Sequence, residues 1–171
     1  MTDSGSADPH PRPCALPCAA EPASDRSVST LSIAASLDSL DQVAEFVVRL
    51  AERAGLPDDA CYRLRLAADE LATNIVMHGY RGAEGRMAVA GEIGGGRVQV
   101  RFEDDAPAFN PRDGMRTPDL KAPLAERGIG GLGVFLALTA VDSFGYERVS
   151  GRNVSTLVMH VADSGQMGCH V

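Results

Sequence analysis

The chain has 171 residues, 44% of them apolar, and a formal net charge of −7. That is enough apolar material for one ordinary core and one domain. The acidic balance argues against a nucleic-acid footprint and a polybasic membrane-surface site, both of which need clustered cations. No apolar run approaches the ~18 residues that would span a bilayer. The N-terminus lacks the charged-then-apolar order of a signal peptide, so a cytoplasmic protein is expected.

Residues 1–26 hold five of the ten prolines among Ala, Ser and Asp. Such a stretch buries too little apolar area to offset its ordering entropy, and a tail is expected there. The four cysteines, Cys14, Cys18, Cys61 and Cys169, are too scattered for a disulfide framework. Cys14 and Cys18 with His10 upstream lack the second ligand pair of a zinc site.

Ser27 to Ile33 alternates and is β-branched, which predicts a first strand. Ser36 or Asp38 is expected to cap a helix whose apolar positions Leu40, Val43, Ala44, Val47 and Ala51 follow the 3.6-residue period and which ends before Gly55. Pro57, Asp58 and Asp59 suit the first turn of a second helix. That helix is expected to reach about His78 and to bury Leu64, Ala67, Ala68, Leu71, Ile75 and Val76. Near the margin of its apolar stripe lie Glu70 and Asn74, four residues apart and so one above the other. A phosphoryl-transfer site can use this pair, the carboxylate to take a proton from a hydroxyl and the amide oxygen as a hard neutral ligand for Mg²⁺. Alone, E-x-x-x-N is an ordinary solvated helix face; the clusters that follow it raise its weight.

Met87–Ile93 and Arg97–Glu103 alternate and are joined by glycines, a predicted β-hairpin. Its second strand breaks into the carboxylate-bearing loop Glu103-Asp104-Asp105-Ala106-Pro107-Ala108-Phe109-Asn110. Residues 111–127, rich in prolines and charges, predict a long loop of the kind that is usually functional. They read as a lid ordered by a γ-phosphate, with Lys121 and Arg127 either reaching that phosphate as the lid closes or standing as solvated loop charges. Gly128-Ile129-Gly130-Gly131-Leu132-Gly133 then leads into a helix predicted over 131–141. Glycines allow close backbone approach and a helix N-terminus presents unpaired N–H groups, the outline of a phosphate cradle. Two strands follow, Ser143–Arg148 and Asn153–Val161, with a turn at Ser150-Gly151. His78 is expected to fix the helix end rather than to carry a phosphate or metal. Asp142 and Tyr146 are expected to be structural.

The order β-α-α-β-β-loop-α-β-β predicts an α+β two-layer sandwich with helices gathered on one face. Three segments, DELATNIVMHGY, EDDAPAFNP and GIGGLGVFLALTAVDSFGYER, resemble the N, G1 and G2 boxes of the GHKL ATPase superfamily. With the closing GRNVSTLVM, they resemble most its branch of serine/threonine-kinase anti-sigma factors, over roughly residues 27–161. The resemblance implies the Bergerat fold with a mixed, mostly antiparallel sheet, and a domain at 27–162 with a short tail at 163–171. It implies Glu70 as the base, Asn74 as the Mg²⁺ ligand and Asp104 as the acceptor for the adenine amino group. Ala108 is then part of the adenine wall, standing with Ala106 where the G1 pattern commonly has glycines. Gly128, Gly130, Gly131, Leu132 and Gly133 wrap the ATP phosphates, and Thr156 supports adenine through water.

The function implied is phosphorylation of a Ser or Thr on a STAS-domain anti-sigma-factor antagonist, using ATP and Mg²⁺. A sigma factor or another regulatory client is sequestered in the other complex, and a homodimer is common in the family. Two rivals belong to other classes. A non-catalytic nucleotide-sensing module has no need of Glu70. A histidine kinase or other ATPase needs further domains, and the proline-rich 26-residue tail is too short to supply a phosphoacceptor hairpin.

Overall fold

The computed structural model describes residues 26–114 and 132–161. The expectations for the N-terminal tail, for the C-terminal tail, for Lys121 and Arg127 of the lid, and for Gly128, Gly130 and Gly131 lie outside the described residues. Five strands form one sheet in the order β1-β2-β3-β5-β4: β1 Ser27–Ala34, β2 Arg86–Gly94, β3 Arg97–Asp104, β4 Ser143–Val149 and β5 Arg152–His160. Three helices accompany it, α1 Leu40–Arg53, α2 Asp58–Asn74 and α3 Leu132–Ala140.

All four pairings are antiparallel, so the sheet is not mixed. The reason is topological. β3 and β4 run parallel across the connection that carries α3, but β5 folds back between them and pairs with both. Two tight hairpins set the registers. Gly95 and Gly96 have φ of +58° and +68°, and Ser150 and Gly151 have +51° and +83°. Positive φ at both central residues gives the turn whose twist matches the strands, and it pairs Gly94 with Arg97 and Val149 with Arg152.

The helices cover one face of the sheet. α1 buries Val43, Val47, Leu50 and Ala51, and α2 buries Ala60, Leu64, Ala67, Ala68, Leu71 and Ala72. They meet Val98, Val100 and Phe102 of β3 and Leu157 and Met159 of β5 in one core. A β-carbon on Gly91 of β2 would stand 2.5 Å from Leu50 Cδ2, so the bare backbone there lets α1 settle onto the sheet. The end of α1 is closed by Leu56 N–H to Ala51 O at 3.1 Å and Gly55 N–H to Glu52 O at 3.0 Å, with Gly55 at φ +71°. This is the Schellman arrangement.

Two helix boundaries differ from expectation. Neither Ser36 nor Asp38 caps α1: a short 3-10 turn, Leu37–Ser39, precedes it, and the Ser36 and Ser39 hydroxyls bond each other at 2.9 Å instead of a backbone N–H. The second helix does run past Asn74, but as a π-helical turn, Ile75–Tyr80. The wider turn keeps Ile75, Val76 and Tyr80 buried, and such turns recur at functional sites.

Candidate nucleotide site

The helix made of α2 and its π-turn is the element on which the three sequence clusters converge. Glu70 is half-buried on α2, and its carboxylate packs against Gly133, in the first turn of α3. A β-carbon at Gly133 would meet Oε2 at 2.7 Å and Oε1 at 3.1 Å. The glycine-rich segment therefore delivers its last glycine onto the acid of the first cluster. The Glu70 carboxylate makes no hydrogen bond or ion pair among the described residues, which leaves its oxygens available as acceptors.

One turn on, the Asn74 amide donates from Nδ2 to the Glu70 carbonyl at 2.6 Å. The amide is thereby oriented, and its Oδ1 has no partner among the described residues. A neutral oxygen held this way suits Mg²⁺, which takes one or two protein ligands and completes its shell with water and phosphate oxygens. No group of three or more His, Cys, Asp or Glu that would cage a metal by itself occurs among the described residues.

The π-turn lies on the loop after β3 at three points. Gly79 approaches Ala106, so that an added β-carbon would sit 3.4 Å from Ala106 Cβ. The His78 and Phe109 rings are tilted at 33° with centroids 6.1 Å apart, so His78 fastens this junction. Tyr80 Oη stands 2.6 Å from both Asp105 Oδ1 and the Arg86 carbonyl oxygen, one proton serving two acceptors. Burial, then the bond to Asp105, pushes the Tyr80 phenol up to about 12.

Asp104 is 4% exposed at the end of β3. Its Oδ1 accepts from Asn153 Nδ2 at 2.7 Å and from Ala106 N–H at 3.1 Å. Its Oδ2 has no partner among the described residues, and none of their buried side-chain oxygens is left unpaired, so Oδ2 is not sealed from solvent by them. Burial raises the Asp104 pKa, and the bonds from Asn153 and Ala106 oppose that rise. Asp105 is instead exposed and tied to Tyr80. Ala106 is buried and Ala108 exposed. Of the expected lid, residues 111–114 form a 3-10 turn, with Arg112 4.8 Å above the Phe144 ring and bonded to the Phe144 carbonyl.

Thr156 does not join this site. It pairs with Arg101 of β3, one residue out of phase with Asp104, and alternation puts it on the sheet face away from the helices. The residue opposite Asp104 is Asn153, 2% exposed. Besides Asp104, its Nδ2 reaches the carbonyls of Ala106 and Pro107 at 3.1 and 3.2 Å. Its Oδ1 accepts from Tyr146 Oη at 2.9 Å, Arg148 Nη1 at 2.8 Å and Phe109 N–H at 3.4 Å. Tyr146 is thus structural as expected, as is Asp142, which accepts from the His160 backbone N–H at 2.6 Å. One signal pointed to this network: Arg148, Asn153 and Ser155 are polar at positions that alternation along the last hairpin assigns to the covered face.

The fold thus brings a buried carboxylate, an oriented amide oxygen and an acid at a helix start to one side of an α+β domain. The sequence pattern of the histidine kinase-like ATPase domain family matches residues 33–166, and the chain belongs to that family.

Among its curated relatives is the serine-protein kinase RsbW of Listeria monocytogenes, 32% identical over 97 residues, which covers 54% of this chain and 62% of the relative. The protein of the same name from Bacillus cereus is 28% identical over 96 residues, 54% of this chain and 60% of the relative. The chain thus spans less than two thirds of the length of the relatives it matches. A crystal structure of the RsbU and RsbW domains of Rv1364c from Mycobacterium tuberculosis superposes with a TM-score of 0.55 at 18% identity, over 78% of this chain and 32% of that one. That likeness supports the Bergerat fold. Among the described residues no helix is long and apolar enough to cross a membrane.

Proposed function

We propose that this chain is an ATP- and Mg²⁺-dependent protein serine/threonine kinase of a partner-switching module. It phosphorylates a Ser or Thr of a STAS-domain anti-sigma-factor antagonist and, in its other complex, sequesters a sigma factor or another regulatory client. A cytoplasmic homodimer accompanies this reading. The observation that carries it is the placement of Glu70 against Gly133: an acid whose carboxylate has no partner among the described residues sits at the start of α3. A pure nucleotide sensor has no use for that acid. The names of the relatives, serine-protein kinase RsbW, point the same way.

In the reaction Glu70 takes the proton from the antagonist's hydroxyl. The hydroxyl oxygen then bonds to the γ-phosphorus of ATP as the bond to the bridging β-γ oxygen breaks, and ADP leaves. Little covalent chemistry is asked of the protein, whose part is chiefly positioning and charge neutralisation. Asp104 Oδ2 accepts from the adenine amino group, and the start of α3 at Leu132 and Gly133 offers its N–H groups to the phosphates. Asn74 Oδ1 is the group that would hold Mg²⁺, which when bound neutralises phosphate charge.

The test is transfer of labelled γ-phosphate from ATP to a purified STAS-domain protein, with the site mapped by mass spectrometry. Phosphoserine or phosphothreonine on that protein is expected. Release of free phosphate without transfer, or nucleotide binding with neither, would overturn the kinase reading.

A further inference from the structure

Asn153 occupies an unusual position for a buried amide. It lies directly opposite Asp104 in the β3–β5 register, donates to one carboxylate oxygen and to two carbonyls of the following loop, and is itself held by Tyr146, Arg148 and the Phe109 N–H. An amide can present either end. Here Arg148 and the Phe109 N–H can only donate, so they admit only its oxygen and turn the Nδ2 protons towards Asp104 and the loop.

We propose that Asn153 is a positioning residue that sets base selectivity: by donating to Asp104 Oδ1, it leaves Oδ2, which has no partner among the described residues, as the acceptor turned to the base, and so selects a 6-amino purine over a 6-oxo purine. The inference rests on the nucleotide-binding reading above and deepens it. A carboxylate oxygen accepts from an exocyclic amine but repels a carbonyl oxygen, whereas a protonated carboxyl donates and tolerates a 6-oxo group. Burial and the neighbouring Asp105 charge favour protonation of Asp104, and the donors Asn153 and Ala106 N–H, with the charge of Arg148, oppose it. Among the described residues, Tyr80 from the π-turn and Arg86, Glu103 and Arg152 around the same rim are the other titratable and charged groups near Asp104. Without Asn153, the Ala106 N–H and the charge of Arg148 are the stabilisers of the ionised form that remain among the described residues. The choice between bases then weakens, most of all at low pH.

The experiment measures binding of ADP and IDP, which differ at the purine 6-position, by calorimetry at pH 6 and pH 8, for the parent and for Asn153→Ala. The parent is expected to prefer ADP at both pH values. Asn153→Ala is expected to lose at least tenfold of the ADP/IDP ratio, with the larger loss at pH 6. Should Asn153→Ala not fold, Asn153→Asp carries the test, because it is isosteric and still accepts from Tyr146 and Arg148 while turning an acceptor towards Asp104; the same loss of ratio is expected. An ADP/IDP ratio equal to the parent's in a folded variant would overturn the role of Asn153 alone. A parent that binds neither nucleotide would overturn the nucleotide reading and this inference with it.

Discussion

The carboxylate of Glu70 lies on the bare α-carbon of Gly133, where a β-carbon would meet Oε2 at 2.7 Å and Cδ at 3.0 Å. Gly133 is therefore selected by the space Glu70 takes up. Two residues 63 positions apart form one feature, and neither makes sense without the other.

Gly133→Ala separates the acid's position from the stability of the fold. Alanine favours a helix over glycine by up to ~1 kcal/mol, and the atom it meets is the end of a flexible side chain that can swing away. The expected outcome is an unchanged or slightly higher Tm with phosphotransfer reduced at least tenfold. Full transfer activity would show that the placement of Glu70 is not used.

Glu70→Gln keeps the shape and removes the base. Phosphotransfer should be abolished while nucleotide affinity stays within a few-fold. Asn74→Ala should do the reverse and weaken Mg·ATP binding itself. Equal Mg·ATP affinity in parent and Asn74→Ala, measured by calorimetry, would remove Asn74 as the metal ligand.

Asp104→Asn replaces the acceptor proposed to meet the adenine amine by an amide that can present a donor. The loss of a charge-assisted hydrogen bond should cost about 1.5–3 kcal/mol of ATP affinity. Asp105→Asn should cost less, because Asp105 is exposed and engaged with Tyr80. The reverse ranking would shift the base contact by one residue.

Tyr80 gives a pH dependence with a definite sign. Its folded pKa of about 12 lies above the ~10 of an unfolded phenol, so the folded state binds the proton more tightly. The contribution is fully present below pH ~10 and is lost as pH rises through about 12. Urea unfolding between pH 8 and 12 should show this alkaline loss in the parent and not in Tyr80→Phe. At neutral pH the variant should be less stable by about 1–3 kcal/mol, since Asp105 and the Arg86 carbonyl lose a donor.

Gly91→Ala places a β-carbon 2.5 Å from Leu50 Cδ2, in the interior where α1 meets β2. Overpacking of this kind costs about 1–3 kcal/mol. Denaturant unfolding should show that loss with the ADP affinity of the folded fraction unchanged, since neither residue lies near Glu70 or Asp104 in the chain or the sheet.

The sequence by itself determined the element order, the faces of both long helices and the residues of the two hairpin turns, because each follows from short-range causes. Apolar residues recurring at the helical period bury Leu64, Ala67, Ala68, Leu71, Ile75 and Val76, and Gly95-Gly96 and Ser150-Gly151 take the positive φ that such turns require. Only the tertiary structure decided which side chains meet. The π-turn after Asn74 answers to packing against the loop at 105–109, which local propensity does not contain. The antiparallel sheet follows from β5 entering between β3 and β4. The choice of Asn153 over Thr156 beside Asp104 rests on a strand register, where a shift of one residue moves a side chain to the opposite face. The meeting of Glu70 and Gly133 depends on how α2 and α3 pack, a contact across 63 residues that no local period encodes.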